Sequence, residues 1–254
     1  MRLDIFLFEN GLADSRSKAT ELIKRGSVTI KGKPIVKPSF EIDDKVSVHE
    51  ICVEKPRYVS RGGIKLEKAL DFFGINVEGL TAVDFGASTG GFTDCLLQNG
   101  AKKVYAIDSG SNQLDAKLLN NSSVISLENT NARYIDFSEI GEKCDIAVCD
   151  LSFISQTLLH YKIAEFMKKD GVFISLIKPQ FEVGKQYVGK GGIVKNDKAV
   201  KAAINNVIAS AERCGFSFVR ITESPIKGKD GNTEYLACFR FKDECHIAPH
   251  SAVM

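Results

Sequence analysis

Charged side chains close several apolar segments of this 254-residue chain, and each segment is predicted to be a buried strand. The residues at these strand ends are Asp84, Asp108, Asp150 and Lys178. Ligands of parallel sheets bind beyond the carboxyl ends of the strands, so all four residues are expected on one rim. A single acid at a strand end is commonly a helix cap. Three acids and a lysine on the same rim indicate a functional site.

A glycine-rich turn follows Asp84 and leads into a predicted helix. Its sequence is Gly86-Ala87-Ser88-Thr89-Gly90-Gly91-Phe92. Glycines allow a ligand to approach bare backbone, and the start of a helix offers free N–H donors. A dinucleotide fingerprint requires glycine at its first, third and sixth positions, but Ser88 holds the third position here. The remaining pattern, Asp-x-Gly-x-x-x-Gly-Gly, is typical of S-adenosylmethionine sites, although strand–glycine–helix turns also serve purely structural roles.

The candidate cofactor contacts come from this turn and the neighbouring strand ends. Asp108 is expected to accept hydrogen bonds from two ribose hydroxyls. Asn131 is expected near the adenine, although a turn role fits it equally well. The full set of candidates is Asp84, Gly86, Ser88, Thr89, Gly90, Gly91, Phe92, Asp108, Asn131 and Asp150. The four histidines lack ligand spacing and the seven cysteines form no CxxC pair, so no metal site is predicted.

Alternating helices and strands from residue 64 onward predict an α/β fold with a mainly parallel sheet and helices on both faces. The last two strands follow one another without a helix, so the final strand is expected to run antiparallel. The predicted strands are 81–85, 103–108, 124–127, 145–150, 171–177, 216–222 and 234–241. The predicted helices are 64–73, 92–98, 112–120, 155–168 and 197–213.

Composition narrows the class of protein. Hydrophobic residues make up 44% of the chain, which is enough to bury a core, and the formal net charge is only +2. Residues 1–62 hold twelve Lys/Arg against nine Asp/Glu, a weak pointer to nucleic acid. No segment approaches eighteen uninterrupted apolar residues, and Arg2 and Asp4 interrupt the first apolar run. We therefore expect a cytoplasmic protein without a membrane partner.

The first fifty residues predict a compact unit of two helices and short strands. Ser15 is expected to cap the second helix and Gly26 to end it, with strands at 28–30, 35–36 and 45–48. The spacing Ser-Arg-x-x-Ala-x-x-Leu-Ile-x-x-Gly-x-Val resembles the alpha-L (S4-like) RNA-binding domain. The resemblance implies that cations of the second helix bind RNA phosphates, whereas the alternative is a solvated helix face. These cations are Arg16, Lys18, Lys24 and Arg25.

Motifs spread over almost the whole chain resemble the TlyA family, whose members are often labelled hemolysin A. The motifs are Ser60–Leu66, the turn after Asp84, Asp150–Ser155, Lys178–Lys185 and Gly231–Tyr235. Such proteins join an alpha-L domain to an FtsJ-like, Rossmann-like methyltransferase domain. The expected division is residues 1–53 for RNA binding, a linker at 54–63, a catalytic domain at 64–243 and a tail at 244–254.

The family resemblance implies a ribosomal RNA 2′-O-methyltransferase that uses S-adenosylmethionine and acts on cytidine. The ribosomal RNA or an assembled ribosomal subunit is then the partner, with 23S RNA favoured by the short chain. FtsJ-like enzymes use a Lys-Asp-Lys-Glu tetrad, which falls here on Lys65, Asp150, Lys178 and Glu234. Two further cations, Arg61 and Lys185, are candidate RNA contacts.

The role of Lys178 stays open between a general base and a cation that stabilises the developing alkoxide. Partial desolvation and a nearby Lys65 favour loss of its proton, whereas Asp150 and Glu234 stabilise the ammonium. A buried structural ion-pair network is the competing interpretation of the tetrad. At the level of function, the alternatives are a small-molecule methyltransferase, a non-catalytic RNA-binding or assembly factor, and a protein whose lytic effect is indirect.

Overall fold

The computed structural model describes residues 1–24, 26–43, 46–54, 56–228 and 230–242. The chain divides into two compact units, Met1–Arg57 and Tyr58–Met254. The division lies inside the segment expected to be a linker. Tyr58 is buried in the core of the second unit, and the Val59 backbone N–H donates to Asp94 Oδ2 at 2.9 Å. Residues 58–63 therefore belong to the second unit, and the predicted 244–254 tail lies outside the described residues.

The first unit packs two helices against a small antiparallel sheet. Its elements are α1 (Leu3–Glu9), α2 (Arg16–Lys24), β1 (Val28–Ile30), β2 (Lys33–Pro34) and β3 (Ile51–Val53). The strand order is β2-β1-β3. Apolar residues of both helices and of β1 form the core, with Leu3, Leu7 and Ile23 fully buried. Ser15 caps α2 as predicted, since its Oγ accepts from the Lys18 backbone N–H at 3.1 Å.

Two predicted strands of the first unit are wrong. Ile35–Val36 is not a strand, because the paired segment ends at Pro34 and Val36 is 62% exposed. The segment predicted at 45–48 leads instead into a 3-10 helix, Val48–Glu50, where Ser47 and Glu50 form a capping box. The strand β3 begins instead at Ile51, three residues after the end of the predicted one. Lys45 lies outside the described residues.

The second unit alternates helices and strands. Its helices are α3 (Gly62–Phe73), α4 (Gly91–Gln98), α5 (Ala116–Leu119), α6 (His160–Glu165), α7 (Pro179–Glu182) and α8 (Asp197–Arg213). Its strands are β4 (Thr81–Phe85), β5 (Lys103–Ile107), β6 (Val124–Leu127), β7 (Cys144–Cys149), β8 (Met167–Ile177), β9 (Phe216–Glu223) and β10 (Tyr235–Phe241). No helix in the described part of the chain is long and apolar enough to cross a membrane.

One seven-stranded sheet organises the second unit, in the order β6-β5-β4-β7-β8-β10-β9. The strands from β6 to β8 are parallel, and β10 pairs antiparallel with both β8 and β9. The α/β class and the antiparallel final strand are thus confirmed. Neighbouring strand residues face opposite sides: Val83 packs into one hydrophobic cluster and Ala82 into another, so the sheet is buried on both faces.

Two predicted helices are shorter than expected. The segment predicted at 112–120 is helical only in α5, because the Glu128 carboxylate binds the backbone N–H groups of residues 112–114 and draws them out of the helix. The segment predicted at 155–168 is a 3-10 turn, Gln156–Leu158, followed by α6. It ends early because Met167 already pairs with Cys144 as the first residue of β8.

A buried histidine under α8 makes the stability of this unit depend on pH. His160 is fully buried, its Nδ1 lies 2.9 Å from Ser210 Oγ, and its ring packs edge-on against Phe173. Burial is the main cause that lowers the pKa of His160 to about 3. The folded pKa lies below the unfolded value of 6.5. Between these two pH values the ring is protonated in the unfolded chain and neutral in the folded protein. Stability from the neutral ring is complete above pH 6.5 and is lost as the pH falls towards 3.

We predict that, because of His160, the free energy of unfolding of wild type falls by roughly 1 kcal/mol for each pH unit below pH 6.5. Urea unfolding of wild type and His160→Gln at pH 4.5 and 7.5 isolates it, because the other titrating groups are common to both. The variant should lose less stability than wild type on acidification. His49→Gln, at an exposed position, is the control. An identical pH dependence in wild type and His160→Gln would contradict the prediction.

Candidate functional site

A cavity of about 440 Å³ lies at the carboxyl edge of the parallel strands, on the rim where the sequence predicts a site. This volume is within the range of pockets that bind small ligands. The lining residues come from the segments that follow β4, β5, β6 and β7. They are Gly86, Ser88, Ile107, Asp108, Ser109, Gln113, Asn131, Ala132, Arg133, Asp150, Leu151, Ser152, Phe153 and Ile154.

Gly86 allows the segments after β4 and β7 to meet at this cavity. Its φ is +86°, and a Cβ at this position would lie 2.7 Å from the Asp150 backbone oxygen. Any other residue would push the two segments apart or strain the backbone. The close approach of Asp150 therefore requires glycine at this position, and Gly86 also lines the cavity.

Asp108 closes the opposite wall of the cavity after β5. Its Oδ2 accepts from the Ser88 backbone N–H at 2.8 Å and its Oδ1 from the Gly110 backbone N–H at 2.7 Å. These bonds fix the carboxylate against the glycine turn. Each carboxylate oxygen still has a further lone pair, so the group can accept from hydroxyls of a ligand as well.

Asp84 lies beneath the turn and does not line the cavity. Its side chain is fully buried, and Thr93 Oγ1 donates to its Oδ2 at 2.7 Å, whereas Oδ1 has no hydrogen-bond partner. Burial, opposed by the Thr93 hydrogen bond and assisted by the nearby Asp150, raises the pKa of Asp84 to about 7. Its position supports the base of the turn.

Thr89, Gly90, Gly91 and Phe92 also lie outside the cavity lining. A Cβ at Gly90, whose φ is +91°, would collide with Leu118, so this glycine serves packing. Gly91 begins α4, and Phe92 is buried in the core. The structure thus brings Gly86, Ser88, Asp108, Asn131 and Asp150 to the cavity, and the other five candidates are not among its lining residues.

The four tetrad side chains form two ion pairs. Lys65 Nζ lies 2.6 Å from Glu234 Oε2, with both side chains at least nine-tenths buried. Lys178 Nζ lies 2.5 Å from Asp150 Oδ1, with side-chain exposures of 12% and 21%. Because isolated charges are costly to bury, each lysine depends on its carboxylate.

The register of the sheet brings the two ion pairs to the same edge. Tyr235 pairs with Ile177, so the residues just outside this pair are Glu234, which precedes β10, and Lys178, which follows β8. Because β10 is antiparallel, its first residue meets the last residue of β8. Glu234 is more than 80 residues from Asp150 and about 170 from Lys65 along the chain, yet the sheet order places all of them at one end.

Ser152 is a site residue that the analysis of strand ends missed. Lys178 Nζ donates to Ser152 Oγ at 2.8 Å, and Ser152 lines the cavity with Asp150. The lysine head is therefore held by two residues of the cavity wall. Ser152 lies within the Asp150–Ser155 motif, but a serine in a loop is too common to be informative by itself.

Glu128 is a second such residue and acts on the cavity from outside. It follows β6, and its carboxylate accepts backbone N–H bonds from Asn112, Gln113 and Leu114 at 2.8–3.1 Å. These bonds lower the pKa of Glu128. They hold the segment that places Gln113 in the cavity wall.

Those cations proposed to contact RNA that the structure describes are on the surface, but two already have partners. Arg16 Nε lies 3.3 Å from Oδ2 of the buried Asp4, which Arg2 also binds at 2.9 Å. Lys18 Nζ lies 3.6 Å from Glu21. The remaining described candidates, Lys24, Arg61 and Lys185, are exposed, whereas Arg25 lies outside the described residues. No group of histidine, cysteine and acidic side chains suited to a metal ion occurs among the residues that the structure describes.

The sheet order and the cavity at its carboxyl edge define a Rossmann-like methyltransferase. Residues 58–241 match the model of the FtsJ-like methyltransferases, and residues 1–47 match the S4 domain. The chain belongs to the FtsJ-like methyltransferase family, in the group that includes TlyA.

Relatives of similar length support this assignment. Hemolysin A of Brachyspira hyodysenteriae is 45% identical over 94% of this chain and 99% of the relative. The 16S/23S rRNA (cytidine-2′-O)-methyltransferase TlyA of Mycobacterium tuberculosis is 41% identical over 94% of this chain and 89% of its own. A solved structure from Streptococcus thermophilus, named as a hemolysin, has a TM-score of 0.75 and 40% identity, covering 96% of this chain and 89% of that chain.

We predict that Glu128→Gln weakens binding of S-adenosylhomocysteine roughly 10-fold, since the amide has one acceptor oxygen for three backbone donors. Isothermal titration calorimetry measures the change. Glu139→Gln is the matched control, because Glu139 also binds a backbone N–H, that of Asp136 at 3.0 Å, but Asp136 is not part of the cavity wall. Equal affinity in Glu128→Gln and wild type would refute the role given to this carboxylate.

Proposed function

We propose that this protein transfers a methyl group from S-adenosylmethionine to the ribose 2′-hydroxyl of a cytidine in ribosomal RNA. One observation carries the proposal. The ammonium of Lys178 is held by Asp150 and Ser152, and both of these residues line the cavity. A lysine head is thus available at the wall of a pocket in a methyltransferase fold. The name of the M. tuberculosis relative supplies the substrate class, cytidine of ribosomal RNA.

The cavity suits S-adenosylmethionine, which supplies a methyl group activated by a sulfonium leaving group. The Asp108 carboxylate can accept from the ribose hydroxyls of such a ligand. Ile107, Leu151 and Ile154 offer apolar surface for a purine ring.

Lys178 is the residue that we assign to the reacting hydroxyl. An ammonium has three N–H donors; Ser152 Oγ accepts one of them, and the Asp150 carboxylate holds the charge at ion-pair distance on another side. The third position can donate to the 2′-oxygen and stabilise negative charge that develops on it. If Lys178 loses a proton, the same position carries a lone pair that can accept the hydroxyl proton. Both roles require the third position on Lys178 Nζ to face the 2′-oxygen.

Lys65 and Glu234 support this arrangement from the neighbouring strand end. Their ion pair sits one residue beyond the last pairing of β8 and β10, next to Lys178 along the edge. We propose that the pair fixes the start of β10 and contributes to the field around the 2′-oxygen. The sequence interpretation of a purely structural network is not favoured, because Asp150 and Ser152, the two partners of Lys178, line the cavity.

We also propose that the first unit recruits the RNA. Its match to the S4 domain and the exposed cations Arg16, Lys18 and Lys24 support this role. Arg61, at the start of α3, and Lys185, in the segment after α7, are the proposed contacts of the second unit. The favoured substrate is 23S RNA, either free or in an assembled large subunit.

The experiment that tests the function uses ribosomal subunits from a strain without this gene, incubated with purified protein and radiolabelled S-adenosylmethionine. We expect label in RNA, and mass spectrometry of digested RNA should locate it on a cytidine ribose. Separate 16S and 23S fractions identify the subunit. Label on a base would contradict the proposed chemistry. No incorporation into either subunit or into free RNA would favour the non-catalytic RNA-binding alternative.

We predict that Arg16→Gln makes RNA affinity less dependent on salt, reducing the slope of log K against log salt by about 1. The reason is the loss of one phosphate contact. Filter binding of 23S RNA from 50 to 200 mM KCl measures the slope. Lys102→Gln, which removes an exposed charge just before β5, is the control and should leave the slope unchanged. Equal slopes for Arg16→Gln and wild type would remove Arg16 from the interface.

A further inference from the structure

Glu182 joins the two chain segments that carry the lysine cluster. It is the last residue of α7, four residues after Lys178. Its Oε2 accepts from Ser155 Oγ at 2.6 Å, and its Oε1 accepts from the Gln156 backbone N–H at 3.0 Å. We call Glu182, Ser155 and Gln156 the brace. Gln156 is anchored in turn, because Ser175 Oγ of β8 donates to its Oε1.

The brace closes a ring of contacts around the cavity wall. One segment begins at Asp150 and ends at Ser155, and the other begins at Lys178 and ends at Glu182. At their beginnings, the segments are joined by the Asp150–Lys178 ion pair and the Lys178–Ser152 hydrogen bond. At their ends, they are joined by the brace. Ser152 therefore cannot move away from the lysine without breaking bonds at both ends.

The segment between Asp150 and Ser155 needs such an anchor. Phe153 within it has a φ of +70°, a conformation that is unfavourable for a bulky residue, and its side chain is 87% exposed. Backbone in this region persists only when its surroundings hold it. Its own ring contact with Phe181, at 5.3 Å between centroids, again links the segment to α7.

Burying Glu182 costs more free energy than burying an apolar side chain in a purely structural contact would. Burial raises the pKa of its carboxyl, against the opposing effect of the hydrogen bonds from Ser155 and Gln156. No lysine or arginine within the described part of the chain forms an ion pair with it. A partly buried carboxylate that binds only neutral donors costs desolvation energy that an apolar contact would avoid. In return, the two carboxylate oxygens accept from two donors on one loop, Ser155 Oγ and the Gln156 backbone N–H.

We propose that Glu182 is a positioning residue for methyl transfer, which holds the 150–155 segment so that Ser152 and Asp150 aim the Lys178 ammonium at the substrate hydroxyl. The proposal rests on the proposed function and adds to it a residue that touches neither substrate nor cofactor. Because Glu182 acts through Ser152, its removal should slow methyl transfer far more than it weakens cofactor binding, although Leu151 and Ile154 of the same segment also line the cavity.

The test is a double-mutant cycle with single-turnover methylation of large subunits from the deletion strain. We expect Glu182→Gln to slow methyl transfer roughly 10- to 100-fold, since misplacement of a reacting group has effects of this size. Affinity for S-adenosylhomocysteine should stay within about twofold of wild type. In a Ser152→Ala background, the further effect of Glu182→Gln should fall to about twofold, because the contact through which it acts is already absent.

Glu142→Gln is the matched control. Glu142 also accepts two hydrogen bonds, from Lys103 Nζ at 2.8 Å and Tyr105 Oη at 2.7 Å, but beside the first residues of β5 at the opposite edge of the sheet. Its rate should match that of wild type. Ser155→Ala serves as the second variant, because it removes one donor of the brace without altering the acid and should lower the rate in the same direction. If Glu182→Gln does not fold, Ser155→Ala carries the cycle.

Three results would overturn the proposal: a Glu182→Gln rate equal to wild type, equal rate losses with and without Ser152, or a parallel loss of cofactor binding. Hydrogen exchange distinguishes this failure from failure of the proposed function. If wild type methylates no RNA, the function is refuted, whereas the brace still predicts faster amide exchange in residues 150–156 of Glu182→Gln. Unchanged exchange there would refute the brace in either case.

Discussion

Two lysine heads sit at the carboxyl edge of a sheet that is otherwise buried on both faces, and each is held there by one carboxylate. Removing a partner from a buried pair leaves an uncompensated charge and costs about 3–5 kcal/mol. The Lys65–Glu234 pair is the more buried of the two and joins α3 to the start of β10. The Lys178–Asp150 pair joins the ends of β8 and β7 at the cavity. Both the local fold and the proposed chemistry depend on these contacts.

The close approach at Gly86 makes the second pair possible. Without a side chain at residue 86, the backbone of Asp150 can pack against the turn after β4, and its carboxylate then reaches Lys178 from the cavity wall. The antiparallel β10 makes the first pair possible, because its first residue lies beside the last residue of β8. A parallel strand in that place would present its final residue, Phe241, instead. Topology and one missing side chain therefore determine where the charges meet.

Local patterns predicted most of the second unit. The bounds of β4, β6 and α8 agree with the prediction, because short, mostly apolar segments and a long amphipathic helix are strong local signals. The errors arise where a distant side chain overrides local preference. Glu128 pulls residues 112–114 out of a helix, and the capping box of Ser47 and Glu50 turns a predicted strand into a 3-10 helix.

The site shows the same limit. Residues at strand ends could be predicted, because the edge of a parallel sheet collects them, and the tetrad positions followed from the family resemblance. Ser152 and Glu182 could not be found in this way, since their roles depend on which loop each one contacts across 26 to 27 residues of chain. The pairing of Arg16 with Asp4 is likewise a contact across 12 residues that composition does not reveal.

The most direct test of the central claim is the single-turnover methylation rate of Lys178→Ala, compared with that of Lys168→Ala. Lys168 is also in an ion pair, with Asp145 at 2.7 Å, but neither residue lines the cavity. The account predicts a loss of roughly 10²–10⁴-fold for Lys178→Ala, with unchanged cofactor affinity and a lowered but still cooperative thermal transition, because Asp150 loses its partner, and a normal rate for Lys168→Ala. A normal rate for Lys178→Ala, or a collapse of its thermal transition, would contradict the account.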